Sequence, residues 1–354
     1  MLVVALVAAS GCKPVDRTGD VQIAAATLDK VAPRSVVLVT IDGVRWEDVF
    51  LGVDPRLAHG SALAALEQPF ALMPETKALV DGGGVALGGG GVGCGIVAPT
   101  NPGVLSLPGY DEMLGGRTTA CETNDCPRVV APTVLDAAAQ RGKGPVGSID
   151  SWGKLARAAS NGGSDVFLSA GRSDWPTRPE NAVIETELAL AAADPPFPGH
   201  GNYRNDFHTE RLALAYLASR HPRLLHVGLG DTDEYGHRGD YPAYVRAIRG
   251  ADRFIAEVAT LAAAERIPTT VIVTTDHGRD VFFRDHGKAF PLSKRSFVLA
   301  FGDGVEHGGN VCQHRDIGLP DVGATVRALL SLPPDGSPGA GKPIEEISGT
   351  VASR

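Results

Sequence analysis

Acidic residues and histidines follow three apolar stretches of this sequence, and their side chains are those of a metal site. They are Asp42 after residues 35–41, Asp233 and His237 after residues 224–229, and Asp276 and His277 after residues 271–275. The stretches are rich in Val, Ile and Leu, which is typical of buried parallel strands. Ligand sites of open α/β sheets lie at the carboxyl ends of the strands, so we expect these side chains to meet at one edge. One such aspartate is often only a helix cap, but the set predicts a metal site.

A serine at the start of a predicted helix is a further candidate. Ser106 lies in the segment 105–109 (Leu-Ser-Leu-Pro-Gly). Taken alone, this pattern favours a plain N-cap, whose side chain accepts a backbone hydrogen bond. A helix N-terminus also stabilises negative charge, which suits a serine oxygen that attacks a phosphoryl group. Both interpretations remain open from these residues alone.

The composition is that of a globular protein and argues against a nucleic-acid partner. The chain has 354 residues, of which 43% are hydrophobic and 21% charged, and its net charge is −8. Phosphate backbones are bound by clustered Lys and Arg, and the sequence has no such cluster. A chain of this length can bury a large core.

The N-terminal residues resemble the end of a bacterial lipoprotein signal peptide. Small apolar residues lead to Cys12, which would receive lipid, and residues 13–33 would form a polar tether. We therefore expect a signal segment at 1–12, a single domain at 34–354, and an exported protein in the periplasm or outer membrane. The alternative is an apolar tail with a chance cysteine.

The four remaining cysteines predict disulfides, because an even number in an exported protein is typical of them. Cys121 and Cys126 are close enough to close a small loop, which leaves Cys94 to pair with Cys312. A zinc site made from all four cysteines is the alternative, although their spacing is poor for it.

Strands alternate with helices along the chain, which predicts an α/β fold with a mostly parallel sheet covered on both faces. The predicted helices cover residues 69–80, 132–141, 179–193, 206–220, 240–266 and 321–330. The Gly-rich residues 81–95 lack a phosphate-binding GxxxxGK[S/T] pattern, so they are interpreted as turns and a tight hairpin. Residues 296–301 are predicted to form a further strand.

Five motifs in the same order resemble the alkaline phosphatase superfamily, nearest its type I phosphodiesterase/nucleotide pyrophosphatase branch. They are residues 40–43 (Thr-Ile-Asp-Gly), 106–110 (Ser-Leu-Pro-Gly-Tyr), 233–237 (Asp-Glu-Tyr-Gly-His), 275–278 (Thr-Asp-His-Gly) and 286–287 (His-Gly). The resemblance spans roughly residues 35–332. It implies a three-layer α/β/α sandwich.

The resemblance also implies two divalent metal ions with Ser106 at the bridge. One ion would be held by Asp233, His237 and His286, and the other by Asp42, Asp276 and His277. Mixed imidazole and carboxylate ligands suit zinc, or manganese, better than calcium.

Spacing supports part of this ligand set. Asp233 and His237 are four residues apart and can face the same way, with Gly236 permitting a bend. His286 is favoured over His307 and His314 as a ligand because it precedes a glycine in the expected context.

The chain departs from the family patterns beside Ser106. The branch usually has Thr-x-Pro-Asn-His, and sulfatases have an arginine where Tyr110 stands here. In the branch, an asparagine about twenty residues after the nucleophile holds a phosphate oxygen, and Asn124 lies near that spacing.

The function implied is metal-dependent phosphoester hydrolysis, of the phosphodiesterase or phosphatase type, through a phosphoseryl intermediate. The substrate would be a small-molecule, glycan or lipid phosphoester, and Lys154, Arg279 or Lys288 would meet its remaining oxygen. The alternatives are a sulfatase, a phosphotransferase acting on surface glycans or lipids, and a binding lipoprotein without turnover.

Overall fold

The strand that directly precedes Asp42 lies near the centre of the molecule's main sheet. The computed structural model describes residues 35–58, 62–172, 181–305 and 308–349. The strands in these ranges are β1 Ser35–Ile41, β2 Gly84–Leu87, β3 Val97–Ala98, β4 Val146–Asp150, β5 Phe167–Ala170, β6 Leu224–Leu229, β7 Thr269–Thr274, β8 Val298–Gly302, β9 Gly309–Asn310 and β10 Ile317–Gly318.

Eight of these strands form one sheet in the order β5-β4-β6-β1-β7-β8-β2-β9. The pairs β6–β1 and β1–β7 are parallel and in level register, since Thr40 pairs with Gly228 on one side and Thr274 on the other. β8 runs against both of its neighbours. The carboxyl ends of β6, β1 and β7 therefore lie side by side.

Helices cover the sheet. Those in the described ranges are α1 Trp46–Phe50, α2 Pro55–Ala58, α3 Pro74–Gly83, α4 Ser106–Gly115, α5 Val134–Gln140, α6 Ala156–Ala159, α7 Ala182–Ala193, α8 Asp206–Arg220, α9 Asp231–Arg238, α10 Tyr241–Ala264, α11 Leu319–Leu329 and α12 Glu345–Ser348. Short 3₁₀ turns occur at Ala62–Leu66, Gly153–Leu155 and Pro291–Lys294.

Two hydrophobic cores lie on the two faces of the sheet. Alternate residues of β1 point into different cores, with Val37 and Val39 in one and Val36 and Leu38 in the other. A strand buried on both faces reads as a continuous apolar run, as the sequence does here. The predicted α/β/α sandwich with a mostly parallel sheet is confirmed.

The Gly-rich residues 81–95 do not form the predicted hairpin. They contain β2, which pairs with β8 and β9 in the main sheet. The partner strands are more than 200 residues away in the chain. A local glycine pattern predicts a turn but carries no information about such a distant partner.

Both predicted cysteine pairs are disulfides in the structure, Cys94 with Cys312 and Cys121 with Cys126. The four-cysteine zinc alternative is therefore wrong. The expected signal segment, Cys12 and the tether at 13–33 lie outside the described residues. In the described part of the chain, no helix combines the length and apolar character that crossing a bilayer requires.

Candidate metal centre

The predicted ligands converge at the shared carboxyl edge of β6, β1 and β7. Asp42 directly follows β1, Asp233 and His237 lie on α9 just after β6, and Asp276 and His277 follow β7. The loop beyond β7 returns His286 to the same edge, where its Nε2 lies 3.8 Å from Asp233 Oδ1 and 3.2 Å from His237 Nε2.

An inner cluster consists of Asp42, Asp276 and His277. Their ligand atoms lie within 4.8 Å of one another, and all three side chains are buried. The His277 Nε2 is 3.6 Å from Asp42 Oδ1 and 3.3 Å from Asp276 Oδ2. These atoms are the ligand set that the resemblance implies for one ion.

An outer cluster consists of Asp233, His237 and His286. The ligand atoms of Asp233 and His286 also lie within 4.8 Å of those of His277, and His237 contacts this group through Asp233 and His286. The His237 Nε2 lies 3.1 Å from Asp233 Oδ2 and 3.2 Å from His286 Nε2. The rings of His286 and His277 are stacked with centroids 3.8 Å apart, so the two clusters are adjacent. The His237 side chain is 44% exposed, which opens the outer cluster to solvent.

Two of the histidines are held in a tautomer that suits metal binding. The Nδ1 of His277 lies 2.9 Å from the Gly278 carbonyl, and that of His286 lies 3.2 Å from the Val104 carbonyl. A carbonyl only accepts hydrogen bonds, so Nδ1 carries the proton and Nε2 keeps its lone pair. Burial lowers the pKa of His277 to about 4 and that of His286 to about 3.

Three carboxylates crowd this edge of the sheet. Burial, and then the neighbouring Asp276 and Asp233, raise the pKa of Asp42 well above its ordinary value, and burial raises the pKa of Asp276 to about 6. Burial alone would also raise the pKa of Asp233, but Arg279 and the hydrogen-bonded His237 bring it well below its ordinary value.

One carboxylate oxygen in the inner cluster is unsatisfied. The Asp276 Oδ1 accepts a hydrogen bond of 3.0 Å from the Gly43 backbone N–H, whereas Oδ2 is buried and accepts none. A buried polar atom without a partner is costly, and a cation at this position would satisfy it. The residues therefore fit divalent metal ions.

Ser106 faces the inner cluster rather than its own helix. Its Oγ lies 3.3 Å from Asp42 Oδ1 and 3.2 Å from His277 Nε2. The N-cap residue of α4 is Leu105, and the N–H of Leu107 is capped instead by Asn124 Oδ1 at 2.9 Å. The N-cap interpretation of Ser106 is therefore wrong, because its hydroxyl bonds across the sheet edge.

The loop that carries Asn124 is fixed at several points. It is closed by the Cys121–Cys126 disulfide. The Lys154 Nζ donates to the Asn124 carbonyl at 2.9 Å and to Asp125 Oδ1 at 2.8 Å. The Lys154 side chain therefore holds this loop in place. The sequence instead makes it a candidate for contact with a substrate oxygen.

Gly236 has a different role from the predicted one. α9 continues as a regular helix through this position, so no bend needs a glycine. A Cβ at Gly236 would instead collide with the Arg279 guanidinium. Close approach of a neighbouring side chain is the reason that a glycine is required here.

The structure gives Arg279 a different role from the one predicted, and it adds Val104, which the sequence does not identify. Arg279 directly follows the Asp-His-Gly motif, but it is buried beside Asp233 instead of facing a substrate oxygen. The Val104 carbonyl, which orients His286, belongs to a residue with φ of 51°, a backbone state that the sequence does not reveal.

The other candidates lie apart from the two clusters. His314 and Lys288 are exposed, and His314 is in neither of the ligand groups formed by the described residues. His307 lies outside the described residues. Tyr110, at the position of the sulfatase arginine, is fully buried with its ring 5.8 Å from that of His226.

Sequence and structure comparisons agree with this geometry. The metalloenzyme superfamily model matches residues 207–334, the range that includes α9 and the Asp-His-Gly motif. The alkaline phosphatase PafA superposes with a TM-score of 0.62, covering 90% of this chain and 99% of that chain at 11% identity. The chain thus has the fold of an alkaline phosphatase, and residues 207–334 match the metalloenzyme superfamily model. The predicted resemblance is confirmed at superfamily level, and the branch stays a prediction.

The proteins that this chain resembles differ in function. The phosphopentomutase of Methylobacterium sp. (strain 4-46) is 34% identical over 193 residues, which are 49% of this chain and 44% of that protein. The chain thus aligns with less than half of that relative. A 2-O GAG sulfatase superposes with a TM-score of 0.54, covering 91% of this chain and 76% of that chain at 14% identity. The match to the metalloenzyme superfamily model supports divalent metal ions but does not select one of these reactions.

Proposed function

We propose that this chain is a metal-dependent phosphoester hydrolase with Ser106 as its nucleophile. The observation that carries the proposal is the direction of the Ser106 Oγ, which lies within 3.3 Å of both Asp42 and His277 and caps no backbone group. A hydroxyl that is buried against metal ligands at a helix N-terminus is suited to act as an anion.

The two clusters would hold one divalent cation each, zinc or manganese by the mixture of imidazole and carboxylate ligands. When bound, such a pair lowers the pKa of a coordinated hydroxyl and neutralises charge on the attacking and leaving oxygens. The adjacent arrangement of the clusters, joined by the stacked rings of His277 and His286, supports a shared site.

The chain's own residues define the path of the reaction. Ser106 attacks phosphorus in line, the phosphorus–oxygen bond to the leaving group breaks, and a phosphoserine forms. The N-terminus of α4 stabilises negative charge on the transferred group. With its Oδ1 bonded to Leu107, Asn124 has its side-chain NH₂ available to donate to an equatorial oxygen. Water then cleaves the bond between phosphorus and the serine oxygen, which restores the hydroxyl and releases phosphate from a monoester substrate or a phosphomonoester from a diester.

Exposure of the outer cluster favours transfer to water. A mutase must keep its intermediate from solvent, whereas the His237 side chain is 44% exposed. Intramolecular phosphoryl transfer is the second candidate, supported by the alignment with the phosphopentomutase. Both candidates share the phosphoserine and differ only in what accepts the phosphoryl group.

The two candidates can be separated with isotopic water. The purified protein, loaded with zinc or manganese, is given an aryl phosphomonoester or an aryl phosphodiester in H₂¹⁸O. Hydrolysis predicts one solvent oxygen in each phosphate released from the monoester and in each phosphomonoester released from the diester. A sugar phosphate that isomerises without taking up ¹⁸O would support the mutase and contradict the hydrolase.

The remaining alternatives have less support from the site. A sulfatase would need another donor in place of Tyr110, which is buried against His226. A binding lipoprotein without turnover would need neither both clusters nor a buried serine that caps no helix. Small-molecule, glycan and lipid phosphoesters are all compatible as substrates with the proposed chemistry.

Substitutions at Asn124 separate a capping role from a catalytic one. Asn124→Asp keeps the oxygen that caps Leu107 but replaces the NH₂ donor with negative charge. If Asn124 also binds a substrate oxygen, we expect the Asp variant to lose about 10²-fold or more in kcat/KM, at least as much as Asn124→Ala.

The control measurement is thermal stability. Asp is as good a cap as Asn, so Asn124→Asp should melt near the wild-type temperature, while Asn124→Ala should lose about 1 kcal/mol. An Asp variant with wild-type turnover would show that Asn124 serves the helix alone.

We also propose that the protein is exported. Two disulfides among the described residues support this, because such bonds persist in oxidising compartments. Protein recovered from the periplasm and alkylated without reductant should show no free thiol at Cys121 or Cys126 by mass spectrometry. Free thiols at both positions would contradict the Cys121–Cys126 disulfide and remove this support for export, and absence of the protein from the periplasmic fraction would contradict export itself.

A further inference from the structure

Arg279 is a fully buried arginine that lies beside the outer cluster. Its Nη1 donates to the Asp233 carboxylate, its Nε to the Phe283 carbonyl at 2.6 Å, and its Nη2 to the Arg284 carbonyl at 2.8 Å. Only 1% of the residue is exposed. Arg279 therefore lies behind Asp233 and is shielded from solvent by burial.

The backbone around Arg279 is shaped to admit it. A Cβ at Gly43 would lie 2.8 Å from Arg279 Nη1 and 2.5 Å from Asp233 Oδ1, and one at Gly236 would collide with the guanidinium. The segment after β1 and helix α9 thus both pack closely against the Arg279 guanidinium. The hydrogen bonds to Phe283 and Arg284 fasten the loop that continues to His286.

This arrangement gives the two clusters different charges. The inner cluster has two carboxyl side chains, Asp42 and Asp276, and one imidazole, that of His277. The outer cluster has a single carboxylate, and the always-charged guanidinium of Arg279 is bonded to it. Opposite charges in a buried site attract strongly, so a divalent cation gains much more from the inner cluster than from the outer one.

We infer that Arg279 is a positioning residue that makes the two cation sites unequal, so that the inner cluster fills first and the outer cluster holds an exchangeable second ion. This rests on the proposed two-cation site. Arg279 fixes Asp233 and the loop to His286 in place before any cation binds, and its charge weakens the hold on the outer cation.

Metal titration of the full chain tests this without an activity assay. The protein is stripped with a chelator and titrated with Zn²⁺ by isothermal calorimetry in the presence of a competing chelator. We expect two steps with dissociation constants about tenfold or more apart. Asp276→Asn should abolish the tight step, and Asp233→Asn should abolish the weak one.

Arg279→Met tests the cause of the difference. It removes the charge while keeping an apolar stem, so we expect the weak step to tighten by about tenfold and the tight step to shift by less than about threefold. Arg284→Met is the matched control, since it removes an exposed charge from the same loop and should leave both steps unchanged.

Several outcomes would overturn the inference. They are equal affinities in the wild type, loss of the tight step in Asp233→Asn, and an Arg279→Met protein that folds but keeps or weakens its second step. If Arg279→Met fails to fold, the order of filling in the wild type and the two Asp variants still decides. No metal binding at all would instead refute the proposed function, whereas two equal sites with Ser106-dependent turnover would refute only this inference.

Discussion

Ser106→Ala is expected to lower turnover by about 10³-fold or more while the protein keeps both metal ions. The substitution deletes the atom that would form the bond to phosphorus. It removes no helix cap, because the N–H of Leu107 is already bonded to Asn124. Stability should therefore change little.

The measurement is kcat for an aryl phosphomonoester and an aryl phosphodiester at saturating zinc, together with metal content by mass spectrometry. Ser106→Thr keeps the hydroxyl and should retain partial activity. Ser160→Ala is a matched control, since that buried serine bonds to Asp136 and not to the site, and it should turn over at the wild-type rate. An Ser106→Ala protein within about tenfold of wild type would exclude the covalent mechanism and leave direct attack by water.

Asp276→Asn is expected to remove one metal ion and nearly all activity while the fold survives. The carboxylate is buried, and its Oδ2 accepts no hydrogen bond within the described structure. The isosteric amide can still accept from the Gly43 N–H but offers a neutral and much weaker ligand. Metal content should fall from two ions per chain towards one.

The matched control for this prediction is Asp136→Asn. Asp136 is equally buried, but it bonds to Thr133 and Ser160 at the start of α5. That variant should melt at a lower temperature and yet bind the full complement of metal. If Asp276→Asn keeps both ions and the wild-type rate, the inner cluster is not a metal site.

Much of the site could be predicted from sequence because parallel strands constrain where their ends meet. The apolar runs identified β1, β6 and β7, and the residues after them supplied Asp42, Asp233 and Asp276. Level register between neighbouring strands then brings those side chains to one edge without further information. The cysteine pairs were also predictable, since only four cysteines remained after Cys12.

Other features depend on contacts between segments that are far apart in the chain. β2 was predicted as part of a hairpin because nothing in its own residues specifies β8 as its partner. The direction of the Ser106 hydroxyl depends on Asp42 and His277, which are 64 and 171 residues away.

The residues at the strand ends were thus sufficient to predict the candidate ligands and the sheet that brings them together. Residue types at strand ends are local properties, and the geometry of a parallel sheet then places those residues at one edge. Three features could be read only from the folded molecule: Ser106 faces the candidate ligands, Gly236 makes room for a side chain, and Arg279 is bonded behind Asp233. Each of these depends on how closely two distant segments pack, and no spacing within one segment encodes that distance.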